Sequence, residues 1–278
     1  MIDYYLLTKP GIVFGNLITL AAAFSLGSSV FDLSLFFVAF FGLALVMASS
    51  CILNNDINSE SDQKMERTKN RALAAKRIPR KNALILAAIL GISGMLILTF
   101  KTNLITALIA AFGFIIYVGV YSFWKCRTIY GTAIGALAGA VPPVVGYTAA
   151  SGKLDTGALL LFTILIFWQM PHFFAIAIRH LDDYKKAGIH ALPIQKGLFR
   201  TKVHTTLYII AFIVAACFLT LFGYTGNLYL IWTVSLGTLW LLLSLKGFTT
   251  KDNTLWAKQM FQLSLIVILS MCCIIPFS

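Results

Sequence analysis

NNDINSESDQKMERTKNR, residues 54–71, follows one apolar run at 32–53 and precedes another at 83–100. These eighteen residues hold eight charged side chains and five amides, in a 278-residue chain that is 59% hydrophobic and 12% charged. With a mean hydropathy of +0.86, the chain has more apolar surface than a soluble core of this length could hide. Lipid is its main solvent, and the polar stretch is a loop between two membrane spans.

Runs of about 18 or more mostly apolar residues, enough to cross a ~30 Å hydrocarbon layer as a helix, lie near 12–29, 32–53, 83–100, 103–122, 131–150, 157–178, 205–223, 227–246 and 257–276. The expected fold is all-α: a polytopic bundle of about nine transmembrane helices around a central cavity open toward the cytoplasmic side. The first run reads as a retained span and not as a cleaved signal, since further spans follow it. Cys51, Cys126, Cys217, Cys272 and Cys273 form no CxxC pair, so neither a disulfide framework nor a zinc site is supported.

Charge sets the orientation. Alternating the loops of a nine-span chain puts 20 of the 22 Lys and Arg on one side, leaving only Lys101 and Lys153 on the other. By the positive-inside rule the N-terminus and the loops after spans two, four, six and eight are cytoplasmic, and the C-terminus is outside. The net charge of +12 is then a one-sided belt, and nucleic-acid binding is not needed to account for it.

The two largest polar loops lie four spans apart on this face. That spacing fits one transmembrane domain, 1–278, with four-helix pseudo-repeats at 1–130 and 131–250 and a ninth helix. Eight of the ten acids fall on the same face, six of them in the two large loops. If span two stays helical beyond Leu53, Asn54, Asn58, Asp62 and Glu66 share one arc, while Asp56 and Glu60 point away. Oxygen ligands at a helix end suit Mg²⁺, which needs only one or two protein carboxylates when substrate phosphates and water complete its shell. Arg67, Lys69 and Arg71 follow, as donors suited to phosphate oxygens. Together they suggest a lipid diphosphate substrate.

The stretch resembles the Asn/Asp-rich motif of the UbiA superfamily of intramembrane prenyltransferases, and in particular the branch that farnesylates protoheme IX. LTKPGI (7–12), KMERTKNR (64–71), GALAGAVPPVVGY (135–147), WQMPHFF (168–174) and DDYKKAGIHALP (182–193) carry the resemblance across nearly the whole chain. Three positions depart from the pattern: Asn58 replaces the usual middle Asp, Gly11 a basic residue after Lys-Pro, and Tyr130-Gly131 a Gln-Asn pair. The resemblance implies that farnesyl diphosphate and heme b (protoheme IX) are the substrates and that Mg²⁺ is the cofactor. It makes Asn54, Asn58, Asp62, Arg67, Arg71, Asp182 and Asp183 catalytic, with Asn54, Asp62, Asp182 and Asp183 as metal ligands and Lys69 as a diphosphate donor. A bacterial-type inner membrane and hand-over to a heme A synthase or a terminal oxidase assembly are also implied.

Several residues keep two readings. Asp182 and Asp183 resemble the second metal-binding element, or they balance Arg179, Lys185 and Lys186 at a helix end. Tyr184 positions diphosphate or anchors the interface. Lys125 and Arg127 set topology, or hold diphosphate or a heme propionate. His172 is an ionisable group at membrane depth, read as functional; the resemblance turns it toward the porphyrin, as iron ligand, propionate partner or proton-transfer group. Pro171 removes a backbone donor beside it and is expected to open the helix. In GALAGAVPPVVGY the small residues permit close helix approach and Pro142-Pro143 kinks the span. The rival functions are prenyl transfer to an aromatic quinone precursor, and membrane transport.

Overall fold

A computed structural model describes residues 2–125 and 127–278, so the reading of Cys126 lies outside the described residues. Among the described residues there are no strands, and nine helices are long and apolar enough to cross a membrane. They are α1 (Pro10–Gly27), α2 (Leu33–Ile57), α3 (Arg80–Lys101), α4 (Leu104–Trp124), α5 (Gly131–Ser151), α6 (Thr156–Arg179), α7 (Gly197–Leu221), α8 (Asn227–Lys246) and α9 (Asn253–Phe277). Eight begin or end within a few residues of the apolar runs; α7 begins eight residues early, at Gly197. Residues such as Ile85, Ile89, Ile92, Leu96 and Phe100 on α3 are exposed. An outward apolar face of this kind suits lipid, and the chain is a multi-pass membrane protein.

The acids outside the cationic belt have structural work. Asp32 Oδ1 accepts from Leu35 N at 3.0 Å and caps α2, while Asp155 Oδ1 accepts from Gly157 N at 2.9 Å and caps α6. Asn103 Oδ1 caps α4 in the same way, accepting from Thr106 N at 2.9 Å. Side-chain oxygens thus satisfy backbone donors that helix starts leave unpaired.

The bundle is organised around α5, which packs against α1, α2, α4 and α6. In its membrane window 72% of residues are buried, against 22–44% for the other eight spans. Small residues make this approach possible: a side chain at Gly146 would collide with the backbone carbonyl of Leu20 on α1, and one at Gly139 with the amide of Gln169 on α6. The expected kink is present, because α5 is two helical segments, Gly131–Gly139 and Val141–Ser151, meeting at Ala140 just before Pro142-Pro143.

Two stretches of the same end of the bundle behave differently. Residues Ile116–Tyr121 of α4 form a π-helical turn, with the Ser122 amide donating to Tyr117 O. By contrast, α6 runs unbroken through Pro171, so the expected opening is not there. Gln169, two residues earlier, donates through Nε2 to Leu165 O at 3.0 Å and to Ala136 O at 3.1 Å, stitching this part of α6 to itself and to α5.

Replacing Gly146 by Val should push α1 off α5. We expect a destabilisation of about 3 kcal/mol, the upper end for overpacking a core because the neighbour is backbone, read by denaturant titration of the purified protein in micelles.

Candidate active site

The polar stretch after α2 does not continue as one straight helix. Backbone bonds from Asn58 N to Asn54 O (3.1 Å) and from Asp62 N to Asn58 O (2.8 Å) carry the helical course past Ile57 into a short helix, Ser59–Gln63. Asn54, Asn58 and Asp62 therefore lie on one buried face, as the spacing predicts. Glu66 does not join them: the chain turns at Lys64, and Glu66 is exposed and paired with Lys69 at 2.6 Å. Asp56 points away, held by Arg80 Nε and Nη2 at 2.7 and 2.9 Å.

These residues adjoin a cavity of about 220 Å³. Asn54, Asp62, Arg67 and Arg71 line it from the α2 side, Lys125 from the loop after α4, and Tyr184 and His190 from the loop after α6. Each of these loops belongs to the face that carries the cationic belt. Tyr117 and Tyr121 also line it, their rings stacked at 5.4 Å between centroids. The π-turn supplies this pair: one extra residue in the turn rotates the end of α4 relative to its lipid-facing part, and such turns recur at functional sites.

Asp62 is the charged centre. Its side chain is 1% exposed, and Oδ2 accepts from Arg71 Nη1 at 2.7 Å. Its other oxygen, Oδ1, is buried and has no hydrogen-bond partner among the described residues. A carboxylate oxygen buried without a donor is costly unless a cation or proton reaches it.

Asn54 is held at both ends of its amide. Its Nδ2 donates to Ser122 Oγ at 2.8 Å, and its Oδ1 accepts from Lys9 Nζ at 2.7 Å. Asn58 Nδ2 donates to Asn54 O at 2.8 Å and so braces the same turn, while Asn55 Nδ2 donates to Leu7 O at 3.0 Å. The amide pair thereby ties the segment preceding α1 to the end of α2. Burial pulls the Lys9 ammonium down to about 8, opposed by Cys51 and more weakly by Asp62, with Arg71 and Lys125 pushing the same way as burial.

Several predicted residues lie elsewhere. Lys69 and Arg127 are exposed and do not line this cavity. Asp182 and Asp183 line a separate hollow between the end of α6 and the α8–α9 loop, and Lys185 Nζ lies 3.9 Å from Asp182 Oδ1. The expected four-residue metal set is not assembled: Asn54 Oδ1 is taken by Lys9, and the two aspartates face another hollow. Among the described residues no group of three or more His, Cys, Asp or Glu could hold a metal.

His172 lies away from this cavity. It turns toward α9, where Nδ1 lies 2.8 Å from Ser264 Oγ, and its ring packs on Trp168 and Phe261 at 4.9 and 4.8 Å. Ser264 Oγ donates to Phe261 O, so it accepts from His172 Nδ1–H. The cavity is lined instead by Phe173, Ile176 and Ala177 of the same helix. His172 is thus not among the groups facing it, and its polar requirement is met within the α6–α9 contact.

Lys9, Tyr117, Tyr121 and His190, which no sequence motif assigns to the site, also line the cavity. LTKPGI and DDYKKAGIHALP contain Lys9 and His190, so their signal was present without a geometry; nothing in the apolar run 103–122 marked the two tyrosines.

The model of the UbiA prenyltransferase family matches residues 16–266. The chain belongs to this family and is a membrane prenyltransferase. Among its relatives, the protoheme IX farnesyltransferase of Protochlamydia amoebophila is 53% identical over 279 aligned positions, covering 100% of this chain and 99% of that protein. The protein of the same name from Yersinia enterocolitica is 48% identical, covering 98% and 93%. The fold matches a solved digeranylgeranylglyceryl phosphate synthase with a TM-score of 0.82 at 17% identity, covering 99% of this chain and 96% of that one. A UbiA homologue from Archaeoglobus fulgidus, bound to DMAPP and Mg²⁺, matches with a TM-score of 0.77 at 15% identity, covering 99% of both chains.

Arg71→Ala should leave Asp62 as a buried charge without its partner. Because Arg71 is 30% exposed, we expect the lower end of the range for breaking a buried pair, roughly 3 kcal/mol of stability, measured by denaturant titration. His172→Phe should cost about 1 kcal/mol, one hydrogen bond, while heme turnover stays near wild type in a product assay.

Proposed function

We propose that this chain transfers the farnesyl group of farnesyl diphosphate to a vinyl group of protoheme IX (heme b), making heme O and releasing diphosphate. The observation that carries this reading is the pairing of a buried carboxylate, Asp62, with Arg67, Arg71 and Lys125 around one cavity, in a chain 53% identical over its whole length to a protoheme IX farnesyltransferase. The volume of about 220 Å³ is below the ~300–1,000 Å³ of drug-sized ligand sites. It accommodates a charged headgroup, while the isoprenoid chain and the porphyrin lie outside this polar end.

Mg²⁺ fits the donor set in a limited sense. Asp62 Oδ1 is the carboxylate oxygen left for it, and one protein carboxylate is enough when diphosphate and water complete the shell. Bound there, Mg²⁺ would supply charge neutralisation to the diphosphate leaving group. Asp182 and Asp183 serve as ligands in this reading only if the loop after α6 moves toward Asp62.

The chain's own residues account for the rest of the chemistry. Arg67, Arg71 and Lys125 bind the diphosphate oxygens and stabilise the charge that develops as the allylic C–O bond breaks. The departing diphosphate takes the bonding electron pair. The vinyl π-electrons then form a C–C bond to the farnesyl carbon, and water adds to the resulting cation, losing a proton to give the hydroxyethyl-farnesyl group. Tyr117 and Tyr121, with Phe173, wall the cavity and limit bulk water at the allylic carbon.

The cationic belt surrounds this end of the bundle. By the positive-inside rule this supports a cytoplasmic cavity mouth and N-terminus with the C-terminus outside, and the bacterial relatives support a bacterial-type inner membrane.

The deciding experiment gives the purified protein farnesyl diphosphate and Mg²⁺ with either heme b or 4-hydroxybenzoate, and identifies products by mass. Farnesylated heme is expected, and Asp62→Ala should reduce its formation at least about a hundredfold, as for loss of one transition-state charge partner. Prenylated 4-hydroxybenzoate with no heme product would overturn the assignment.

A further inference from the structure

Lys9 stands immediately before α1 in a left-handed backbone conformation, φ 51° and ψ 60°, and Pro10 follows it as the first residue of the helix. An L-residue with a side chain rarely takes this conformation, and such residues cluster at ligand clamps. Here the turn directs a long basic side chain across to the end of α2, where its ammonium meets Asn54 Oδ1 at 2.7 Å.

The chemistry of this contact is asymmetric. An ammonium only donates, so the amide must present its oxygen to Lys9, and its nitrogen donates to Ser122 Oγ. Asn54 is therefore held from both ends. A metal on the same oxygen would sit beside the Lys9 ammonium, cation against cation, at the one hydrogen-bond acceptor that Lys9 has among the described residues. Lys9 Nζ, by contrast, has three donors and uses one here. It lines the cavity together with Arg67, Arg71 and Lys125, so four cationic side chains face a space in which Asp62 is the lone carboxylate. Such a site is complementary to a highly charged anion.

We infer that Lys9 is a diphosphate-binding residue and that Asn54 is its positioning residue, holding the ammonium at the cavity wall instead of ligating the metal. The inference rests on the diphosphate reading above and gives Asn54 a role other than the metal ligand that the family resemblance implies. It also explains why the Asn-Asn pair reaches back to residues 7–9: Asn55 fixes the backbone at Leu7, and Asn54 fixes the side chain at Lys9.

The test measures binding of inorganic pyrophosphate to the purified full-length protein by calorimetry, in EDTA and then over a range of Mg²⁺ concentrations. Lys9→Met should weaken metal-free binding about tenfold, the equivalent of one charge-assisted hydrogen bond, and Lys9→Arg should restore part of it. Asn54→Leu should cause a similar loss, with the Mg²⁺ concentration for half-maximal effect unchanged. The double variant should be little worse than Lys9→Met, because the two residues act as one unit. Asn54→Ala, which also removes the acceptor and should give the same loss, replaces Asn54→Leu should the latter fail to fold. Wild-type binding in Lys9→Met would overturn the inference while leaving the diphosphate reading intact. So would a raised Mg²⁺ requirement in Asn54→Leu with metal-free binding preserved. Failure of the unmodified protein to bind pyrophosphate under any condition would remove both readings.

Discussion

A carboxylate withdrawn from water at the end of a membrane helix constrains everything around it. Asp62 has one oxygen on Arg71 and one without a hydrogen-bond partner among the described residues, and it reaches that position because the helical course of α2 persists for one more turn after Ile57. The turn at Lys64 then brings Arg67 and Arg71 back over the same face, so that the charge and its counter-charges come from ten consecutive residues. Loop residues Met65, Ala72, Leu73, Ala74 and Ile78 are buried beneath this return. Two bidentate pairs, Arg77 with Asp3 and Arg80 with Asp56, fasten it at the surface. Those pairs are exposed and screened, so burial of the apolar loop residues carries most of the energy and the ion pairs set its register.

The fold was almost wholly legible in the sequence, because a membrane leaves few choices. Apolar runs of sufficient length must be helices, and the Lys and Arg distribution divides the loops into two sets. The Asn54, Asn58, Asp62 face was legible for a related reason: three residues at a four-residue spacing stay together whether the helix is straight or slightly broken at Asn58. Glu66 was lost because the chain turns at Lys64, and no periodicity argument contains that turn.

The direction His172 faces was not legible, for a different reason. Depth in the membrane suggested function, but depth says nothing about which side of a helix a residue occupies. Phe173, its immediate neighbour, faces the cavity, whereas His172 finds Ser264 on α9. The signal needed was a partner, and Ser264 is 92 residues away in sequence. Lys9 and Asn54 pose the same difficulty at a separation of 45 residues. Tyr117 and Tyr121 were hidden by the π-turn, which shifts the helical phase that any count of apolar positions assumes to be constant.

The burial of α5 bears on how the protein is made. Its mean hydropathy over the membrane window is 1.4, the lowest of the nine candidate spans among the described residues, and it is also the most enclosed. A segment that meets protein on nearly every side has little need of lipid solubility, and Gly and Ala serve it better than Leu. During synthesis, however, α5 leaves the ribosome after α1, α2 and α4 and before α6. By hydropathy it has the least pull toward lipid of the nine, and the protein surface that it needs is in large part that of helices made before it.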